Sequence, residues 1–148
     1  MASVSVGQEA PDFTLRDENN QNATLSALRG QPVVLEFYPL DFSPMCTNEM
    51  CAIRDNFSGF EQAGAKVFGI SRDSTWTHKA FKEKEKLTHT LLADMNGAVA
   101  RLYGAWNEAV GLAERVTVII DKDGVVQYVQ HNGLAEARDQ KQAIAALA

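Results

Sequence analysis

The residues whose types and spacing could do chemistry lie in one stretch, Pro39-Leu-Asp-Phe-Ser-Pro-Met-Cys46. Cys46 carries a thiol, which becomes a nucleophile once ionised. Ser43 and Pro44 are a favoured N-cap and a favoured first helical residue. They predict a helix whose first turn holds Cys46 among backbone N–H groups that have no intrahelical acceptor. Those donors and the positive end of the helix dipole stabilise a thiolate. Cys46 also shares a face with Met50 and Ile53, so a small buried hydrophobe is the competing reading. On the same helix Cys51 is turned about 140° away, with Cα atoms roughly 8–9 Å apart. A disulfide does not span that gap without backbone movement. A Cys46–Cys51 bond therefore requires the first turns to unwind; inert packing of Cys51 is the alternative. Glu49 is an acid on the Cys46 face, near the helix start, where the dipole favours it.

The flanking elements must place this motif. Val33–Tyr38 is a nearly continuous apolar run, as in a central strand covered on both faces. Met50, Ile53, Phe57 and Phe60 form an apolar stripe, predicting a helix over Cys46–Phe60 with Gly59 and Gly64 at its end. Lys66–Ile70 reads as a second strand. Ser74–Lys86 reads as a helix whose Lys82-Glu-Lys-Glu-Lys86 run is a solvated face. Phe13–Leu15 and Leu91–Ala93 are short strands, Leu25–Leu28 a helical turn and Gly97–Tyr103 a helix. Arg115–Asp121 and Val125–Gln130 flank Asp121-Lys-Asp-Gly124, a hairpin signal. Leu134–Leu147 is the closing helix. This order predicts one α/β domain over residues 1–148, with a central mixed sheet and helices on both faces. Cys46 then follows the carboxyl end of a core strand, where open α/β sheets carry their sites.

Composition narrows the function. The net charge is -5 over 148 residues, and no basic cluster stands out, which argues against nucleic acid and anionic membranes as partners. Cys46 and Cys51 lack close Cys-x-x-Cys spacing and have no histidine near them in sequence, which argues against a metal site. Met1–Gln8 shows no basic segment and no long apolar stretch, so the expectation is a cytoplasmic protein without leader or spanning helix. Two cysteines in a reducing compartment are catalytic or inert rather than a structural bridge.

The stretch Pro39-x-x-x-Ser43-x-x-Cys46 resembles the active-site motif of the peroxiredoxin family. Gly7–Phe13 looks like the family's N-terminal segment, Gly69-Ile-Ser-Arg-Asp-Ser74 like its second core strand and turn, and Arg115–Gly124 like its late strand and hairpin. Trp76-Thr-His-Lys79, Gly104-Ala-Trp-Asn-Glu108 and Glu136-Ala-Arg-Asp-Gln140 look most like the alkyl hydroperoxide reductase E branch. Cys51 matches the resolving position of the peroxiredoxin Q (bacterioferritin-comigratory) branch.

The resemblance implies a thioredoxin-like fold with an N-terminal extension, and a thiol peroxidase acting on hydrogen peroxide or organic hydroperoxides. Cys46 would be the peroxidatic nucleophile and Arg115 the cation beside it. The Ser43 hydroxyl would bond the peroxide, Pro39 would shape the pocket wall, and Glu49 would orient Arg115. Cys51, or an external thiol, would resolve the sulfenic acid. A thioredoxin, a mycoredoxin or a low-molecular-weight thiol would supply electrons, and no metal, haem or flavin is required. The family's use of the Trp76–His78 region implies a homodimer; His78, His89 and His131 otherwise look structural or exposed. The alternative is a peroxide sensor that passes oxidation to a client through a mixed disulfide.

Overall fold

The computed structural model describes residues 4–148; Met1–Ser3, the first part of the segment read for a leader, lie outside it. Seven strands form one sheet. They are β1 (Thr14–Asp17), β2 (Asn22–Thr24), β3 (Val33–Phe37), β4 (Lys66–Ser71), β5 (Thr90–Ala93), β8 (Arg115–Ile120) and β9 (Val126–Asn132), in the order β2-β1-β5-β4-β3-β8-β9. The centre is parallel: β3 pairs with β4, and β4 with β5. β8 joins β3 antiparallel, β9 joins β8, and β1 joins β5 on the other side. β6 (Trp106–Asn107) and β7 (Leu112–Ala113) make a separate small hairpin. The mixed sheet and thioredoxin-like architecture match expectation.

Period-two alternation divides the strand residues between two cores. Val33, Leu35, Phe37, Phe68, Ile70 and Val118 face one side, under α4 (Ala98–Leu102) and the 3₁₀ turn at Leu25–Leu28. Val34, Val67 and Ile119 face the other, where α1 (Pro44–Asp55), α2 (Phe57–Gln62), α3 (Thr75–Glu85) and α5 (Gln140–Leu147) pack. Burial on both faces explains why β3 reads as a nearly continuous apolar run. Glu36 lies between Val34 and Tyr38 and is fully buried, an acid in the sheet centre.

Two helices differ from the sequence reading. The run expected over Cys46–Phe60 is broken at Asn56, which leaves α geometry at φ -111°, ψ 17°. Its side-chain amide donates to Ala52 O at 2.8 Å, the kind of local bond by which Asn competes with a helix ladder. Gly59 in α2 admits the neighbouring helix: a Cβ there would sit 2.7 Å from Ile144 of α5. The closing helix begins at Gln140, not Leu134. Asp139 caps it through Lys141 N–H, while residues 133–139 run irregularly because Arg138 is drawn inward. The solvated face expected at Lys82–Lys86 is interrupted too, since Lys82 Nζ bonds the buried Glu18 at 3.0 Å. Among the described residues no helix is long and apolar enough to cross a membrane.

Candidate active site

The loop after β3 delivers the motif as its spacing demands. Pro44 takes the first helical position of α1 and Cys46 the third. The first bond of the helix ladder runs from Thr47 N–H to Ser43 O at 2.8 Å, so the N–H of Cys46 precedes the ladder. Ser43 occupies the N-cap position but does not cap with its side chain. Its hydroxyl turns back to donate to Leu40 O at 3.1 Å, so the expected side-chain cap is corrected to a bond within the loop. Pro39 is buried and Ser43 half-buried. Cys46 is 0% exposed, among Val34, Tyr38, Met50 and Ile53.

Arg115, the first residue of β8, comes to Cys46 from 69 residues away, with Nη1 3.2 Å from Sγ. The same nitrogen donates to Glu49 Oε1 at 2.5 Å, and Nε donates to Leu134 O at 2.9 Å. Burial opposes the charge on Arg115, but the Cys46 sulfur and the Glu49 carboxylate outweigh it and push its pKa up. The guanidinium is therefore a fixed cation directed at the sulfur. Cys46, Arg115 and Glu49 come together beside the end of β3, and Pro39 and Ser43 lie in the loop that leads there.

Sequence reasoning missed Arg138. Its backbone N–H and Nε donate to Glu49 Oε2 at 2.9 and 3.1 Å. Nη1 reaches Val116 O and the Thr117 hydroxyl at 3.3 and 3.2 Å, and Nη2 donates to Phe37 O. Nη1 also lies 3.5 Å from Glu36 Oε1, which accepts from Gln140 Nε2 at 2.8 Å. Burial raises the pKa of Glu36, against the pull of Arg138 and Gln140. Two guanidiniums thus converge on Glu49, Arg115 from the side of the Cys46 sulfur and Arg138 from the side of Glu36. The sequence signal for Arg138 was its place in Glu136-Ala-Arg-Asp-Gln140, a stretch quoted for its resemblance but read as helix.

Cys51 lies apart from this group. It is half-buried on α1, and its Sγ donates to Glu85 Oε1 of α3 at 3.5 Å. The structure keeps Cys46 and Cys51 as free thiols on one intact helix. A surface groove of about 410 Å³ between Arg16, Asn20, Trp76 and Met95 contains none of the motif residues. Among the described residues one trio, Asp41, Asp73 and His78, has ligand atoms within 4.8 Å of one another. Those atoms bond to each other and to the loop, as described below.

Three comparisons bear on this arrangement. Residues 6–129 match the model of the AhpC/TSA family. The chain is 47% identical over 130 residues to a chloroplastic peroxiredoxin Q of Oryza sativa subsp. japonica, covering 87% of this chain and 60% of that relative's length. It is similar to the crystal structure of peroxidoxin BcpB from Mycobacterium tuberculosis (TM-score 0.86, 33% identity, 96% of this chain and 95% of that one). It is also similar to that of Enterococcus faecalis AhpC (TM-score 0.90, 26% identity, 96% and 89%).

Proposed function

This chain belongs to the AhpC/TSA family, and from that premise we propose that it is a thiol-dependent peroxidase. The observation that carries the reading is the buried Arg115 guanidinium 3.2 Å from Cys46 Sγ, held in place by Glu49. The Cys46 thiolate attacks the terminal oxygen of a hydroperoxide with an electron pair on sulfur. The O–O bond breaks, and its electrons leave on the other oxygen, which takes a proton and departs as water or an alcohol. Arg115 stabilises the thiolate and the charge that develops on the peroxide. Ser43 and Pro39 form the side of the pocket where the peroxide aligns.

Cys46 is left as a sulfenic acid, the reversible first rung of cysteine oxidation. The Cys51 thiol condenses with it, forming an S–S bond and releasing water, after the start of α1 unwinds; an external thiol does the same without unwinding. A thioredoxin, a mycoredoxin or a low-molecular-weight thiol then reduces the disulfide. A reducing compartment suits the cycle, and cysteine usage favours the cytoplasm. The exposed Trp76 and Met95, 81% and 62% accessible, support a homodimer through that face.

One equivalent of hydrogen peroxide without reductant, followed by intact mass and peptide mapping, tests the chemistry. Loss of two hydrogens mapped to Cys46–Cys51 identifies an internal resolving thiol. Added oxygen on Cys46, with Cys51 free, identifies an external one. No change at Cys46 sinks the peroxidase reading. Multiple turnover with a generic thiol reductant separates an enzyme from a sensor, and Cys46→Ser abolishes it.

A further inference from the structure

The loop between β3 and α1 is held by a second buried polar cluster that the reaction above does not use. Asp41 is its centre. Oδ1 accepts from the Tyr38 hydroxyl at 2.5 Å, and Oδ2 lies 2.6 Å from His78 Nδ1. The side chains of Asp41 and His78 are both 0% exposed. The backbone N–H of Asp41 donates to Asp73 Oδ2 at 2.8 Å, and the Ser71 hydroxyl donates to that same oxygen at 2.6 Å. His78 Nε2 lies 2.9 Å from Leu92 O. A carbonyl only accepts, so Nε2 carries hydrogen, and one further proton sits between Nδ1 and Oδ2. Burial first, then the Asp41 charge, raises the Tyr38 pKa well above its ordinary value, so its hydroxyl stays a donor.

This chain of bonds ties the loop to β4, α3 and β5, and the residue beside its anchor is strained. Phe42 has φ +67°, a left-handed conformation that bulky side chains rarely adopt. Such a conformation persists where its surroundings over-determine it. Here they do so twice: Asp41 is fixed on one side, and the Phe42 ring rests on Phe81, with centroids 5.0 Å apart. Phe42 sets the direction in which the chain leaves Asp41 for Ser43 and Pro44. The partner of the Cys46 sulfur comes from elsewhere: Arg115 from β8, itself held by Glu49 from the next turn of α1.

We propose that Asp41, clamped by Tyr38 and His78, is a positioning residue for the peroxide. It holds Phe42 in its strained turn, so that Ser43 and the mouth of the site are correctly presented, and it leaves the reactivity of the thiolate alone. A fully satisfied buried network suits this task because it is rigid. The proposal rests on the peroxidase reading and adds a division of labour within it: one buried cluster serves the sulfur, the other the substrate.

The test compares two reactions of Cys46 in the full chain, each followed on its own peptide: oxidation by hydrogen peroxide and alkylation by iodoacetamide. Asp41→Ala is expected to slow oxidation at least tenfold and to leave alkylation within twofold. Asp41→Asn keeps an acceptor for Tyr38 and offers an N–H to a neutral His78, so it is expected to restore most of the oxidation rate. An Asp41→Ala oxidation rate equal to wild type overturns the proposal. So does parallel loss of both reactions, which marks a general loosening. Should Asp41→Ala fail to fold, Tyr38→Phe removes one donor and little volume. A threefold loss toward peroxide alone then supports the proposal, and no loss overturns it. A wild-type chain inert to peroxide while still alkylated at Cys46 defeats the peroxidase reading and this proposal with it, an outcome distinct from any difference among variants.

Discussion

Cys46 and Cys51 stand five residues apart on one helix and meet opposite surroundings. Cys46 is fully buried against the Arg115 guanidinium, with Glu49 behind it. Cys51 is half-buried against a carboxylate, Glu85. Burial first, then the hydrogen bond and charge of Glu85 and the charge of Asp55, push the Cys51 thiol up, while Arg54 pulls the other way. A thiolate is the reactive form of cysteine, so the cation beside one sulfur and the anion beside the other assign different chemistry to identical side chains. Position on the helix cannot account for this by itself; the partners that decide it arrive from β8 and α3.

The strongest way to break the comparison is to remove the cation. Losing one preorganised hydrogen-bond donor to developing charge costs about 10²–10³ in rate. Arg115→Ala is expected to slow peroxide oxidation of Cys46 about 100-fold in stopped-flow measurements and to leave Cys51 alkylation unchanged. A loss below threefold would mean that the helix start, not Arg115, activates the sulfur. A smaller effect belongs to Arg138→Lys. An ammonium keeps the charge but cannot bond Glu49, Thr117 and Phe37 together as the planar guanidinium does. Oxidation is expected to fall about tenfold. Because both arginines act on Glu49, the double variant with Arg115→Ala should lose less than the product of the single effects. A fully multiplicative loss would separate Arg138 from the sulfur's surroundings.

These partners also show what the sequence could carry. β3 and β4 were legible because burial on two faces leaves an apolar run, β8 because the Asp121–Gly124 turn marks its end, and α1 because Pro44 and the Met50–Ile53 stripe fix its start and its face. The pairing of Cys46 with Arg115 was legible through resemblance alone, since nothing in the local pattern distinguishes Arg115 from a surface arginine. Arg138 and His78 were not read as site residues. Their partners Glu49 and Asp41 lie 89 and 37 residues away, and a polar residue in a polar segment has no period to reveal its inward turn. The late start of α5 has the same origin. Arg138 N–H donates to Glu49, and Asp139 begins the helix only after that bond is made.

A buried histidine packs against the helix between the two cysteines. His89 is buried against Met50, with Nε2 3.3 Å from the sulfur. Burial, aided by the charges of Lys82 and Lys66, lowers its pKa from 6.5 to about 3. Between those values the unfolded chain binds a proton that the folded chain refuses, so stability falls as pH falls through this window. The slope is at most about 1.4 kcal/mol per pH unit. Urea midpoints measured from pH 7 to pH 4 should drop, and His89→Leu should flatten the drop. An equally steep decline in His89→Leu would assign the acid sensitivity to other groups.

The smallest expected effect sharpens the comparison at Cys51. Glu85→Gln keeps the shape of the partner and removes its charge, and with it a carboxylate acceptor that favours the protonated thiol. Burial and Asp55 still raise the Cys51 pKa and Arg54 still lowers it, so the thiol should move down toward its ordinary value without reaching the reactivity of a cation-paired cysteine. Alkylation of Cys51 near pH 8 is expected to speed up severalfold, while peroxide oxidation of Cys46 stays the same, because Glu85 bonds neither Cys46 nor Arg115. If Cys51 resolves the sulfenic acid, disulfide formation after a peroxide pulse should also change, and its sign is informative. Faster closure means that loss of the Cys51 proton limits the step, whereas an unchanged rate means that unwinding of α1 limits it. An alkylation rate identical to wild type would remove Glu85 as the group that sets Cys51 apart, leaving the Arg115 cation beside Cys46 to distinguish the first cysteine from the second.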